Sequence, residues 1–200
     1  MKSIKSKKLK NILWLIAIIL PIAIGLYIIV LISAPTIAPT LAQPIDISKL
    51  PPPAAQSEHD QNRIIIPKIG VDIVYATDGQ AALDRGALWN HPDRGNPEKG
   101  GNFIIAAHRF SIQPTPTETV KKSPFYNIDK LVVDDQIYID YAKKRYLYTI
   151  QEIITVRPTQ VEIEAPSEEA KLTLYSCELG GADAGRIVMI AKPVGVKAEG

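Results

Sequence analysis

At 200 residues the chain has room for one ordinary domain with accessories and not for two. Five lysines (Lys2, Lys5, Lys7, Lys8, Lys10) crowd the first ten residues, so the formal net charge of +2 hides a remainder in which 18 of the 23 Lys and Arg face 21 Asp and Glu. That weakly acidic remainder excludes a basic nucleic-acid footprint, and a lone cysteine, Cys177, excludes an intrachain disulfide, leaving the hydrophobic core to hold the fold.

Residues 1–11 read as a basic tail. Ile12 to Ile32 follow without a charge, 21 residues that include Trp14 and Tyr27. A helix of that length, rising about 1.5 Å per residue, crosses the roughly 30 Å hydrocarbon core of a bilayer. Lysines before it and no charge after it until Asp46 set the expected orientation: amino terminus in the cytoplasm, the rest outside the cell membrane on a single pass. A cleaved signal peptide is the competing reading. Its apolar region is shorter and a small-residue site follows it closely, whereas no clear A-x-A site follows here. Residues 33–60 hold Pro35, Pro39, Pro44 and Pro51 to Pro53 and read as an extended, semi-rigid spacer.

From residue 61 to 200 the pattern becomes that of a β domain. RIIIPKIGVDIVYA (63–76) is two short strands broken at Pro67 and Gly70. Residues 81–92 are mixed, 93–102 form a turn cluster, and NFIIAAH (102–108) is a strand ending in a histidine. A loop with Pro114 and Pro116 precedes Ser123-Pro124, which reads as an N-cap and first helical residue of a turn of helix through Lys130. Residues 135–142 and 145–156 alternate as strands, with Asp134, Asp135, Lys143 and Lys144 in the turns. Residues 158–170 are polar and acidic and hold a short helix at most; Leu172–Cys177 and Ile187–Pro193 are the last two strands. Seven or eight short strands without alternating helices predict a closed or nearly closed β-barrel, preceded by one transmembrane helix.

The chemistry available to this chain centres on Cys177. A thiolate is an effective nucleophile, and it needs a base or cation beside it. Of the three histidines, His59 lies in the spacer and His91 in a loop between Asn90 and Pro92. His108 ends an apolar strand after the small residues Ala106 and Ala107, which leave room beside the ring. Arg186 lies nine residues past Cys177 across ELGGADAG and opens the next strand, where its five donors suit an oxyanion or a substrate carbonyl. A surface pairing of Arg186 with Glu178 or Asp183, and an inert buried Cys177, are the bland alternatives. The histidines and the cysteine lie too far apart for metal-ligand spacing.

TLYSC (173–177), Arg186, GGNFIIAAHRF (100–110) and SPFYNIDKLVVDDQIYI (123–139) resemble the signatures of the sortase family, over roughly residues 63–195. Ser176 and Ala107 stand where the family usually has Thr and Gly. The resemblance implies an eight-stranded sortase barrel with short helices and a two-step transpeptidation. Cys177 would attack a carbonyl in a carboxyl-terminal sorting signal such as Leu-Pro-X-Thr-Gly, His108 would serve as acid and then base, and Arg186 would hold the carbonyl or its oxyanion. Ala107, Thr173 and Ser176 are the expected substrate-binding positions. The implied partners are surface proteins bearing the signal and an amine acceptor such as a cell-wall precursor. No cofactor is implied, although Glu162, Glu164, Glu168 and Glu169 resemble an acidic loop that binds calcium in some members. The absence of an Asp-Pro-aromatic motif in 57–62, and of an apolar run before Gly200, favours protein anchoring over pilin polymerisation. Two alternatives carry different chemistry: a transpeptidase acting on peptidoglycan stem peptides, and a tethered barrel that binds a sorting peptide without reacting.

Overall fold

The computed structural model describes residues 2–41, 45–51 and 62–196. His59 and residues 57–61 of the segment searched for a lid motif lie outside them.

One long helix, α1 (Lys2–Leu41), precedes the domain. Its stretch Leu9–Ala38 is long and apolar enough to cross a membrane, and its apolar side chains from Leu9 to Val30 are exposed. The helix runs on through Pro35 to Leu41, so the first nine residues expected as spacer are helical. Its far end touches the domain: Tyr27 donates its hydroxyl to the Pro114 carbonyl at 2.5 Å, and Asn127 Nδ2 donates to the Pro35 carbonyl at 3.1 Å.

The domain is built from β1 (Arg63–Ile66), β2 (Val71–Ala76), α2 (Gln80–Arg85), β3 (Ala87–Asn90), β4 (Gly95–Asn96), β5 (Gly100–Ala107), α3 (Pro116–Lys121), β6 (Gln136–Tyr141), β7 (Lys144–Val156), β8 (Lys171–Glu178) and β9 (Gly181–Val196). The strand order is β3-β2-β1-β6-β7-β9-β8-β5, and β5 pairs back onto β3. Eight strands therefore close a barrel, with the two-residue β4 added outside the ring on β5. Closure leaves no free sheet edge in that ring. Two joins are parallel, β2 with β3 and β5 with β8, and the others are antiparallel.

Period-two alternation decides what fills the barrel. Ile64 and Ile66 of β1, Phe103 and Ile105 of β5, Ile137 and Ile139 of β6, Tyr148 and Ile150 of β7, Leu172 and Leu174 of β8 and Met189 and Ala191 of β9 form one buried cluster. Each large aliphatic side chain so removed from water contributes about 1.5–3 kcal/mol. Asp140 is buried completely and is met by Arg145, with Nε to Oδ1 at 2.6 Å and Nη2 to Oδ2 at 2.7 Å.

The predicted break between the first two strands falls at a 3-10 turn over Pro67–Ile69, closed by Gly70 in the left-handed region. One helical expectation moves. The α-helix begins at Pro116, because the Thr115 hydroxyl accepts from the Glu118 N–H and caps it. The Ser123 hydroxyl instead accepts from the Ser111 N–H, so Ser123-Pro124 opens a series of turns and a 3-10 turn at Ile128–Lys130. The last two strands are longer than predicted, since most of the Gly-rich segment after Cys177 is absorbed into their hairpin.

Candidate active site

The positions of His108, Cys177 and Arg186 follow from register. β5 and β8 run parallel from Asn102 opposite Lys171 to Ala106 opposite Tyr175, an offset of 69 residues. Continued past the strand end, that offset brings His108 level with Cys177. On the other side of β8, Cys177 and Arg186 are direct cross-strand partners in the antiparallel β8–β9 pair. A base, a thiol and a guanidinium thus stand on three adjacent chain segments at one end of the barrel. Since Phe103, Ile105, Leu172, Leu174, Ile187 and Met189 point inward, parity places His108, Cys177 and Arg186 on the outer face.

All three are half-buried and line one groove of about 260 Å³. Leu83 of α2, Leu88 of β3 and Ala106 give it an apolar side. Pro158, Gln160, Val161 and Ile163 supply another from the segment between β7 and β8. An apolar cleft with a few convergent polar groups, beside a thiol, is suited to an extended peptide and to attack on one of its carbonyls.

The surrounding bonds fix the histidine. The His108 carbonyl accepts from the Phe125 N–H at 3.1 Å. Arg109, buried at the next position, donates Nε to the Tyr126 carbonyl at 3.0 Å. It also meets Asp129 at 3.1 Å and Glu178, next to Cys177, at 3.8 Å. This bridge from the residue after His108 to the residue after Cys177 was not anticipated; a charged residue directly following the strand-end histidine was its only sequence signal. Glu178 Oε1 also accepts from the Thr155 hydroxyl at 3.5 Å, and Arg186 Nη1 donates to the Gly185 carbonyl at 3.1 Å.

The three expected substrate-binding positions part company. Ala107 and Ser176 border the groove, but Ser176 is only 2% exposed and its hydroxyl donates to the Ala107 carbonyl at 2.7 Å. Thr173 is 0% exposed, and its hydroxyl donates to Asn102 Oδ1 at 2.6 Å. Asn102 in turn donates Nδ2 to the carbonyls of Ile163 and Ala165 at 3.0 and 2.8 Å. Thr173 thus supports the segment that walls the groove and presents no surface to a substrate.

The four glutamates resembling a calcium loop do not converge. Glu162 and Glu168 are exposed, and Glu169 pairs with Lys192 at 2.9 Å. Glu164 turns inward to Tyr175, Asn90 and His91. Among the described residues no three His, Cys, Asp or Glu side chains form a metal-sized cluster. Burial, and then the bond to Glu164, hold the Tyr175 phenol well above the ordinary tyrosine range. His91 lies in the loop where it was expected, with a left-handed backbone (φ 48°), and faces Glu164 at 3.1 Å.

A family model described as Sortase domain matches residues 64–194. No curated protein sequence matches the chain. Among solved structures, a Clostridium perfringens sortase D5 transpeptidase is 29% identical at a TM-score of 0.56, covering 67% of this chain and 78% of that one. Listeria monocytogenes sortase A is 22% identical at a TM-score of 0.59, covering 72% and 92%. Streptomyces coelicolor sortase E1, solved with a tripeptide in its active site, is 22% identical at 0.54, covering 68% and 88%.

Proposed function

Because this chain belongs to the sortase family, we propose that it is a membrane-tethered cysteine transpeptidase that joins surface proteins to an amine acceptor. The observation that carries the reading is the direct pairing of Cys177 with Arg186, with His108 just past the end of the neighbouring parallel strand, level with the cysteine by the same register offset.

The Cys177 thiolate attacks a backbone carbonyl of a sorting signal of the Leu-Pro-X-Thr-Gly kind lying in the groove. A C–S bond forms and the carbonyl electron pair moves to oxygen, where the Arg186 guanidinium offsets the charge. Collapse of this tetrahedral species breaks the C–N bond, and protonated His108 gives its proton to the departing amine. A thioester on Cys177 remains. Neutral His108 then takes a proton from the incoming amine as it attacks, a new amide forms, and the thiolate leaves. Ser176 and Arg109 hold the two strand ends in position, and neither touches reacting atoms.

α1 is the tether, with residues 1–11 in the cytoplasm, residues 12–32 across the cell membrane and the barrel outside, seated against the outer end of the span where Tyr27 and Pro35 meet it. Substrates held at the same surface then reach the groove in two dimensions. An amine of a cell-wall precursor is the acceptor in this reading, which favours protein anchoring over pilin polymerisation.

The test uses the full chain in detergent micelles with a library of Leu-Pro-X-Thr-Gly-like peptides, read by intact-protein mass spectrometry. The expected result is an adduct equal to the peptide less its leaving amine, absent in Cys177→Ala and resolved by added amines only when His108 is present. No adduct with any peptide, together with a thiol that resists alkylation in the folded chain, would leave a peptide-binding barrel and sink the enzyme.

A further inference from the structure

The segment that walls the groove has little apolar reason to stay where it is. Its 3-10 turn, Val161–Glu164, contains no buried residue, and Val161 is one of the exposed large apolar side chains. It is held by polar bonds, and most of them meet at one residue. Glu164 Oε1 accepts from the Tyr175 hydroxyl at 2.7 Å and from Asn90 Nδ2 at 3.1 Å, while Oε2 lies 3.1 Å from His91 Nε2. The Glu164 carbonyl also accepts from Arg94 Nη1 at 2.5 Å. These partners belong to β3, to the turn after it and to β8, and Asn102 of β5 holds the carbonyls on either side. The glutamate thus spans the outer faces of three barrel strands. Its side chain is only 18% exposed, so both oxygens need partners, and both have them. Glu162, two residues earlier, is exposed to solvent. The inward carboxylate is therefore a property of one position and not of an acidic stretch.

We infer that Glu164 is a positioning residue for peptide recognition: its carboxylate latches the Val161–Glu164 turn onto the barrel and so fixes the width of the groove beside Cys177. This rests on the peptide-transferring reading above. The latch governs how well the peptide is held, and the reacting groups on β5, β8 and β9 keep their register without it, because strand pairing sets that register.

The full chain in detergent micelles tests this with Glu164→Ala, Glu164→Gln and Tyr175→Phe. The first readout is amide hydrogen exchange across 158–165 without substrate. Glu164→Ala should exchange there about tenfold faster, and Tyr175→Phe, which keeps the aromatic body and removes one donor, less so. Glu164→Gln keeps an acceptor for Tyr175 and Asn90 and should restore most of the protection. The second readout is transfer kinetics: KM for the sorting peptide should rise about tenfold in Glu164→Ala with kcat within about twofold. Unchanged exchange would overturn the latch. Faster exchange with an unchanged KM, or a fall in kcat alone, would overturn its role in recognition. A wild-type chain that forms no thioacyl adduct would remove the transpeptidase reading and the recognition role with it, while the exchange data would still report on the latch.

Discussion

Ser176→Ala separates two roles for the residue beside Cys177. Backbone pairing of β5 with β8 reaches Ala106 and Tyr175, and the Ser176 hydroxyl adds a bond to the Ala107 carbonyl at 2.7 Å beyond that point. It is the last link before His108 and Cys177. A buried neutral hydrogen bond is worth about 0.5–1.5 kcal/mol net, and leaving the carbonyl short of its partner adds to the loss, so the substitution should cost about 1–2 kcal/mol. For a barrel of this size that lowers Tm by roughly 3–6 °C, read by near-ultraviolet circular dichroism of the chain in micelles. Freed strand ends misplace the base relative to the thiol. A displacement on the order of 1 Å lowers turnover up to about 100-fold. The expected result is a lower Tm, kcat reduced by about 10- to 100-fold, and KM within about twofold of wild type; Ser176→Thr, which keeps the hydroxyl, should restore both. A raised KM with an unchanged Tm would refute the reasoning and make Ser176 a residue that touches the peptide.

Three further outcomes concern the barrel. Arg145→Leu leaves the fully buried Asp140 carboxylate without its bidentate partner and should cost about 3–5 kcal/mol, much of it recovered by adding Asp140→Asn; denaturant unfolding with a wild-type midpoint in the single variant would contradict this. Gly101 has φ +80°, and a Cβ there would sit 2.5 Å from the Arg94 carbonyl oxygen, so Gly101→Ala should destabilise by roughly 2–3 kcal/mol, visible as a lower Tm. Burial raises the folded-state pKa of Tyr148, as it does for Tyr175. A phenol that binds its proton more tightly when folded stabilises fully below the ordinary tyrosine value of about 10 and loses that contribution as pH rises above it. Tm should therefore fall between pH 9 and pH 11 more steeply in wild type than in Tyr148→Phe, and equal slopes would count against the assignment.

Local signals carried far in this chain. Pro67 and Gly70 mark the break between β1 and β2, and alternation marks β6 and β7, because half-buried strands must repeat every second residue. A closed or nearly closed barrel of seven or eight strands was legible from strand count and the lack of alternating helices, and the family resemblance made it eight. At the site, an arginine nine residues past Cys177 and a strand ending at His108 were enough to single out the three side chains that register brings to one groove. What was not legible depended on contacts between distant segments. Ser123 reads as a helix cap in isolation, yet Ser111 takes its hydroxyl, and the cap passes to Thr115. Glu164 looks like any member of an acidic run until Asn90, His91 and Tyr175 are brought beneath it from up to 74 residues away. Thr173 and Ser176 lie in the most telling pentapeptide of the chain, and only the fold reveals that their hydroxyls turn toward Asn102 and Ala107.

The place of β9 between β7 and β8 has a bearing on how the protein is made. A chain synthesised from its amino terminus yields β1 to β8 first, and these pair only as far as one open arc, β8-β5-β3-β2-β1-β6-β7, with β4 on β5. No strand pairing links β7 to β8 until the segment 181–196 arrives, and that same segment carries Arg186. The nascent polypeptide therefore holds Cys177 with no guanidinium opposite it. Ring closure and the meeting of His108, Cys177 and Arg186 at one groove become one late event, so a stalled or truncated product would lack the proposed site.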